Sequence, residues 1–321
     1  MYWKGWVLIL IGVMFLMSGA ISGSGTGFLS HVFAGGKGSN LQNKTVWHDE
    51  RVPVTVPAWL NASTFGGSVT VSSHDHDEIM VRIYVRQNNR WLAGSDDAPV
   101  EVTITDAPDG LEVTAERKRN GIFRNISNVS VSYDILVPRQ TEVRAKTSGG
   151  SVAAYDIAHN VSLITSGGPV TAERVTGDVL ARTSGGTVTV RDVTGDLTAR
   201  TSGGGISIAN ATGKISANTS GGSVRLENVA GAIDARTSGG SINARIAQLQ
   251  DHLTLHTSGG SINVRLPRDT GMDLRASGSS VSADLDDLDA NISQRNVDGS
   301  VLGGGIPVSI RTSGGSVRVS H

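Results

Sequence analysis

Six basic residues, Lys146, Arg182, Arg200, Arg236, Arg275 and Arg311, each stand immediately before the tetrapeptide Thr-Ser-Gly-Gly or a degenerate copy of it. Ile164, Asn218 and His256 fill the same place in other copies. If the copies stack in register, these side chains form a basic ladder along one outward edge. Guanidinium groups stay charged at physiological pH and present a planar fork of donors. A regular row of them suits a repeating polyanion such as an acidic polysaccharide, lipopolysaccharide phosphate or extracellular DNA. The row also reads as a solvated edge whose charges keep the molecule soluble and block strand pairing. Asp178, Asp192, Asp196 and Asp234 are the nearby acids that would neutralise it.

Two acidic runs are candidate cation ligands. Asp284, Asp286, Asp287, Asp289 and Asn291 supply the oxygen atoms that Ca²⁺ accepts, although the spacing is not that of an EF-hand loop and the Gly-Gly-x-Gly-x-Asp repeat signature is missing. Apart from Ca²⁺ at that run, no cofactor is expected. In Ser73-His74-Asp75-His76-Asp77-Glu78, a strand would turn His74 and His76 to one face and the aspartates to the other, so two ligands at most converge. Polar loops account for both runs, the one from Asp284 to Asn291 interrupting the array of repeats.

Bond-breaking chemistry has little to stand on. Cysteine is absent, which removes thiol nucleophiles, thiolate metal sites, disulfides and a lipidated cysteine. Neither a Gly-x-Ser-x-Gly elbow nor a His-Glu-x-x-His helix occurs. Glu173 and Glu227 are the pair to weigh against sugar-cleaving β-helices, but they fall in one repeat column with Arg191 and Ala209 between them, which describes a variable surface position. Tyr155 is the array's only aromatic residue, so no stacking platform for sugars is offered. The expectation is that the chain is not an enzyme. With 28 Lys+Arg against 29 Asp+Glu, the net charge of -1 gives no global attraction to nucleic acid or anionic membranes, and specific nucleic-acid recognition is not expected.

The elements that must position these residues follow from the repeat. Thr-Ser-Gly-Gly begins at Thr147, Thr165, Thr183, Thr201, Thr219 and Thr237 at a constant step of 18, then at Thr257 after 20. A degenerate copy, Ala276-Ser277-Gly278-Ser279, follows, and Thr312-Ser313-Gly314-Gly315 comes 36 residues after it, read as two steps with one obscured copy between. Within a unit, Val188 and Val190 alternate with polar residues, Thr194-Gly195-Asp196 turns, and Leu197 and Ala199 alternate again, which is the period of a strand twice over. A lone two-strand unit cannot bury its apolar face; stacked copies share one narrow core. The predicted fold is therefore all-β, a two-strand-per-rung, β-helix-like solenoid of about 18-residue repeats. A composition of 41 Gly and 4% aromatic residues fits a core of small apolar side chains.

The solenoid is expected over 147–321, preceded by an irregular N-terminal β region, 40–146, that caps it. Trp47, Trp59, Trp91 and Tyr84 fall in that cap, where filling its core is the first use for such rings and ligand stacking the second. The final strand, Ser316 to His321, is expected to leave an uncovered rung, through which the chain would self-associate unless an earlier segment closes it. Residues 1–34 read as an export signal or short anchor: Lys4, the apolar run Trp6 to Met17, and small residues at cleavage sites near 20 or 34. The rest of the chain is then exported to the periplasm, cell envelope or exterior.

The repeats Thr183-Ser184-Gly185-Gly186-Thr187-Val188 and Thr219-Ser220-Gly221-Gly222-Ser223-Val224, with Val137-Pro138-Arg139 leading into the first, resemble the bacterial putative-adhesin domain family of unknown function. The resemblance runs from about Val52 to the end of the chain. It implies a β-solenoid, an exported or tethered protein, and no catalytic motif. Three functional readings follow: an adhesin-like binding or structural surface, a periplasmic envelope scaffold or sensor whose partner is another protein, and, least supported, a carbohydrate-active enzyme.

Overall fold

The computed structural model describes residues 44–118 and 128–321; the export segment read at 1–34 lies outside them. Every regular element among the described residues is a β-strand, and the strands join one continuous sheet that winds as a solenoid. One repeat explains the winding. In β14 (Val188–Thr194), Val188 and Val190 point inward and are buried. Asp192 then adopts φ 54°, a left-handed conformation that aspartate and asparagine tolerate better than most residues. The strand bends there and Val193 is turned inward as well. Gly195, at φ 144°, makes the next corner. Leu197, Ala199 and Thr201 complete the inner wall from β15 (Leu197–Arg200) onward.

The same bend recurs at Asp156, Arg174, Asn210 and Asn228, all at positive φ. Successive rungs therefore superpose. Val188 pairs in parallel with Val170 on one side and Ile206 on the other, and Leu197 lies between Val179 and Ile215. The inward columns are almost wholly Val, Ile, Leu and Ala, so the interior is a narrow apolar spine. At about 25 cal/mol per Å² of apolar surface removed from water, its burial dominates the stability of the stack.

Stacking starts earlier in the chain than the repeated motif. β2 (Ala58–Thr64) pairs with β9 (Thr141–Thr147), and β3 (Val69–His74) pairs with β10 (Val152–Tyr155), all in parallel. Thr64-Phe65-Gly66-Gly67 is thus the first corner, and 58–74 is a rung lying inside the region expected to cap the array. The cap proper is built from the intervening chain. β8 (Val129–Pro138) lies on β3, β4 (Glu78–Gln87) on β8 and β1 (His48–Pro53) on β4, while β7 (Gly110–Arg117) lies on β2 with β6 (Val100–Ala107) outside it.

The far end corrects two expectations. β24 (Ile306–Thr312) pairs with β18 (Ile242–Thr257), and β25 (Ser316–Ser320) pairs with β19 (Ile262–Arg265). Their outer neighbours are β20 (Met272–Ser277) and β21 (Ser280–Asp284). The chain doubles back, and its last strands are inserted as the penultimate rung. No obscured repeat lies between the last two motifs; that stretch holds the antiparallel pair β22 (Leu288–Ile292) and β23 (Asn296–Val301), which covers β20. The strand at Ser316 to Ser320 is accordingly paired on both sides and offers no free rung for self-association.

Candidate functional site

The corner that positions the basic edge is held by its threonines. Each Thr of the motif is buried and donates its hydroxyl to the second-glycine carbonyl of the rung before it: Thr183 to Gly168 at 2.9 Å, Thr201 to Gly186 at 2.8 Å, Thr219 to Gly204 at 2.8 Å. Serine, the next residue, is exposed in every complete copy. One rung's Thr fixes the corner, and the residue just before it is thrown outward.

That residue forms the expected column. Lys146, Ile164, Arg182, Arg200, Asn218, Arg236 and His256 pair in register from rung to rung, and Arg311 follows His256. Arg275 does not belong to it. Arg275 pairs with Ser309, and Ser277 takes the place opposite Arg311. The cause is a shortened corner: the three steps from Ser277 to Ser280 run beside the five from Arg311 to Ser316, which slides the degenerate motif along its neighbour. Arg275 turns instead to Asp298, 3.7 Å away.

The acids expected to neutralise the column divide into two groups. Asp234 does so, meeting Arg236 at 2.9 Å. Asp178 and Asp196 spend their carboxylates along the stack, Asp178 accepting from the Asp196 amide and Asp196 from the Lys214 amide. Asp192 accepts from the Asn210 amide group at 2.8 Å, and Asn210 from Asn228 at 2.9 Å, on the bend remote from the column. Among the described residues Lys146, Arg182, Arg200 and Arg311 meet no carboxylate within ion-pairing distance.

Arg182, Arg200 and Asn218 line an open groove of about 220 Å³ together with Ser184, Ser202 and Ser220. The serines were legible in the motif; their exposure beside the arginines follows from burial of the neighbouring threonines. Chemically the groove offers cationic forks at the rung spacing of about 4.8 Å, interleaved with hydroxyls. An extended anion with hydrogen-bonding groups of its own fits that pattern.

The other candidates are dispersed. Asp284 ends β21, Asp286 and Asp287 make the following turn, with Asp287 at φ 52°, and Asp289 lies on β22. Asp286 faces Arg268 at 3.6 Å. Among the described residues no three His, Cys, Asp or Glu side chains gather closely enough to hold a metal ion. His74 and His76 meet edge to face, and His74 Nε2 bonds the Glu78 carbonyl at 2.7 Å. Glu173 and Glu227 stand three rungs apart in their column, roughly 14 Å at 4.8 Å per rung. Paired glycosidase carboxyls lie within about 10 Å. Glu173 is also bound to Arg174, and Glu227 to Arg245 at 3.2 Å.

In the cap, Tyr84 packs edge to face against Trp91, and Lys44 lies 4.9 Å from the Tyr84 ring centre. Burial and the nearby Asp134 push the Tyr84 hydroxyl up to about 12. These rings are covered by cations and pack into the cap. Trp59 lies over Gly110.

The Toastrack DUF4097 family model matches residues 60–320. Among solved structures, a putative cell adhesion protein from Clostridium sporogenes ATCC 15579 is similar at 12% identity, with 85% of this chain and 98% of that chain covered and a TM-score of 0.20. No curated protein matches the chain.

Proposed function

We propose that this chain, which belongs to the Toastrack DUF4097 family, is an exported, non-catalytic binding surface that holds an acidic polysaccharide along its basic edge. The observation that carries the reading is the in-register column in which Lys146, Arg182, Arg200 and Arg311 face solvent without a carboxylate partner among the described residues. Charges that served only solubility would gain from pairing with the abundant acids of the same repeats. Here three of those acids are turned to backbone amides and to the Asn210 side chain instead. The stacked strands set the spacing of the backbone positions that carry the cations before a ligand arrives, which lowers the ordering cost of binding an extended chain.

The test is retention on immobilised alginate, a polyuronate, under a salt gradient. The full chain is expected to bind and to elute with salt, and Arg182→Gln/Arg200→Gln to lose about tenfold or more in affinity, the scale of one to two charge-assisted hydrogen bonds. Unchanged retention of the double variant would remove the edge from the reading. Equal binding to duplex DNA of matched charge would assign the edge to polyanions in general. Protease shaving of intact host cells addresses location: loss of the chain from whole cells supports an outward, adhesive role, and full protection turns the search to periplasmic partners.

A further inference from the structure

The doubling back of the chain builds a second basic surface that no sequence window contains. On the outward face of the strands after each corner, Arg225, Asn243, Asn263 and Arg318 stack in one column. Glu227, Arg245, Arg265 and Ser320 stack in the next. Arg318 reaches this face because β25 is inserted against β19, bringing it beside Asn263 across more than fifty residues of chain. Together these side chains line an open groove of about 390 Å³.

The charge balance of the groove is one-sided. Among the described residues Glu227 is its one acid, and it is engaged by Arg245 at 3.2 Å. Arg225, Arg265 and Arg318 are exposed and meet no carboxylate within ion-pairing distance among the described residues. Between them runs an amide ladder, Asn263 donating to Asn243 at 3.2 Å. Arginines suit the acid groups of a ligand and carboxamides suit its hydroxyls. Among the described residues no aromatic ring lines the groove, so stacked bases find no platform there.

We propose that this groove is a second site for an acidic glycan, separate from the basic edge and completed by the C-terminal fold-back. It shares the ligand class of the edge and none of its residues. Most unpaired cations of the edge also lie on other rungs: Lys146, Arg182 and Arg200 belong to early rungs, whereas Arg225, Arg265 and Arg318 lie on later ones, and of the edge only Arg311 shares a rung with Arg318. A short oligomer would then occupy each independently, and a long polymer crossing the corner would gain from holding both.

Calorimetric titration of the full chain with a short galacturonate oligomer separates the two. Two binding sites are expected. Arg265→Gln/Arg318→Gln should abolish one and leave the other at unchanged affinity; Arg182→Gln/Arg200→Gln should abolish the other. Thermal midpoints equal to that of the parent chain would show that the exposed substitutions leave the fold intact, and Arg265→Lys/Arg318→Lys, which keeps the charge, should retain weakened binding. A single site lost only with Arg182→Gln/Arg200→Gln overturns the second site and leaves the edge standing. A single site lost only with Arg265→Gln/Arg318→Gln does the reverse, and no uronate binding overturns both.

Discussion

Thr312 donates its hydroxyl to the carbonyl of Gly260 at 2.7 Å, across 52 residues of sequence. That bond repeats the contact by which each complete motif sits on the corner before it, and it shows that the last motif is the spatial neighbour of the seventh. The chain between them leaves the stack, forms its terminal layer and hands the vacant place back to β24 and β25. The end of the solenoid is thereby locked by a segment that arrives last.

Removal of that segment is therefore expected to do more than trim a rung. A chain ending at residue 305 strips β20 and β21 of their inner neighbours, leaving Met272 and Leu274 without the wall that buries them. Amide hydrogen exchange should show protection lost over the whole of 272–301, with faster exchange also in the strands from 253 to 265. Protection retained over 272–301 would mean that the terminal layer folds without the insertion.

The threonine hydroxyls are expected to contribute individually. Thr201 is buried, and its hydroxyl both donates to Gly186 and accepts from the Gly204 amide at 3.3 Å. Thr201→Val keeps the shape and orphans those backbone groups, at a cost of about 1–3 kcal/mol. Denaturant unfolding of the variant measures it, and a loss below a few tenths would mean that water replaces the hydroxyl at the corner.

The two glycines of one motif should respond in opposite ways. A Cβ on Gly186 would overlap the backbone carbonyl of Gly168, which cannot swing aside as a side chain can. On Gly185 the nearest atom is the Gly167 oxygen at an ordinary 3.4 Å. Gly186→Ala is expected to cost several kcal/mol, on the scale of core overpacking or more, and Gly185→Ala to fall within about 0.5 kcal/mol of the parent, as most exposed substitutions do. Thermal melts of the pair decide it, and equal losses would count against close stacking as the reason for the second glycine.

This contrast also explains what could be read from sequence. From Thr147 to Thr257 each rung stacks on the preceding repeat, so periodicity alone aligned Val188 with Val170 and Arg200 with Arg182. At the ends, neighbours are distant in sequence, and a strand pattern carries no address for its partner. Arg275 was placed by its motif, yet the shortened corner moved it out of the column. Arg318 looked like a terminal residue and lies inside a groove. One cue was present: a complete Thr-Ser-Gly-Gly marks a corner packed on both sides, whereas Thr64-Phe65-Gly66-Gly67 and Ala276-Ser277-Gly278-Ser279, both degenerate, belong to end rungs. The second glycine is missing only from the corner at 276–279; the first corner keeps it as Gly67, where a Cβ would overlap the Val131 carbonyl.

The cap carries the titration that should govern its stability. Asp134 is buried on β8, with Lys44 3.9 Å away and Tyr84 and Arg82 facing it. Burial raises its carboxyl above the ordinary range, and the attraction of Lys44 offsets this only in part. The sign follows from linkage: below the ordinary carboxyl value near 3.9 both folded and unfolded chains hold the proton, and as pH rises through the raised value the folded chain is left with a buried charge that the unfolded chain exposes to water. This group's contribution is thus fully present in acid and lost toward neutrality. Asp134→Asn keeps the shape without the charge, so its thermal midpoint should equal that of the parent chain at low pH and exceed it increasingly as pH rises, levelling off above the raised value. Parallel midpoint curves for the two chains across that interval would show that Lys44, Arg82 and Tyr84 compensate the carboxylate in full.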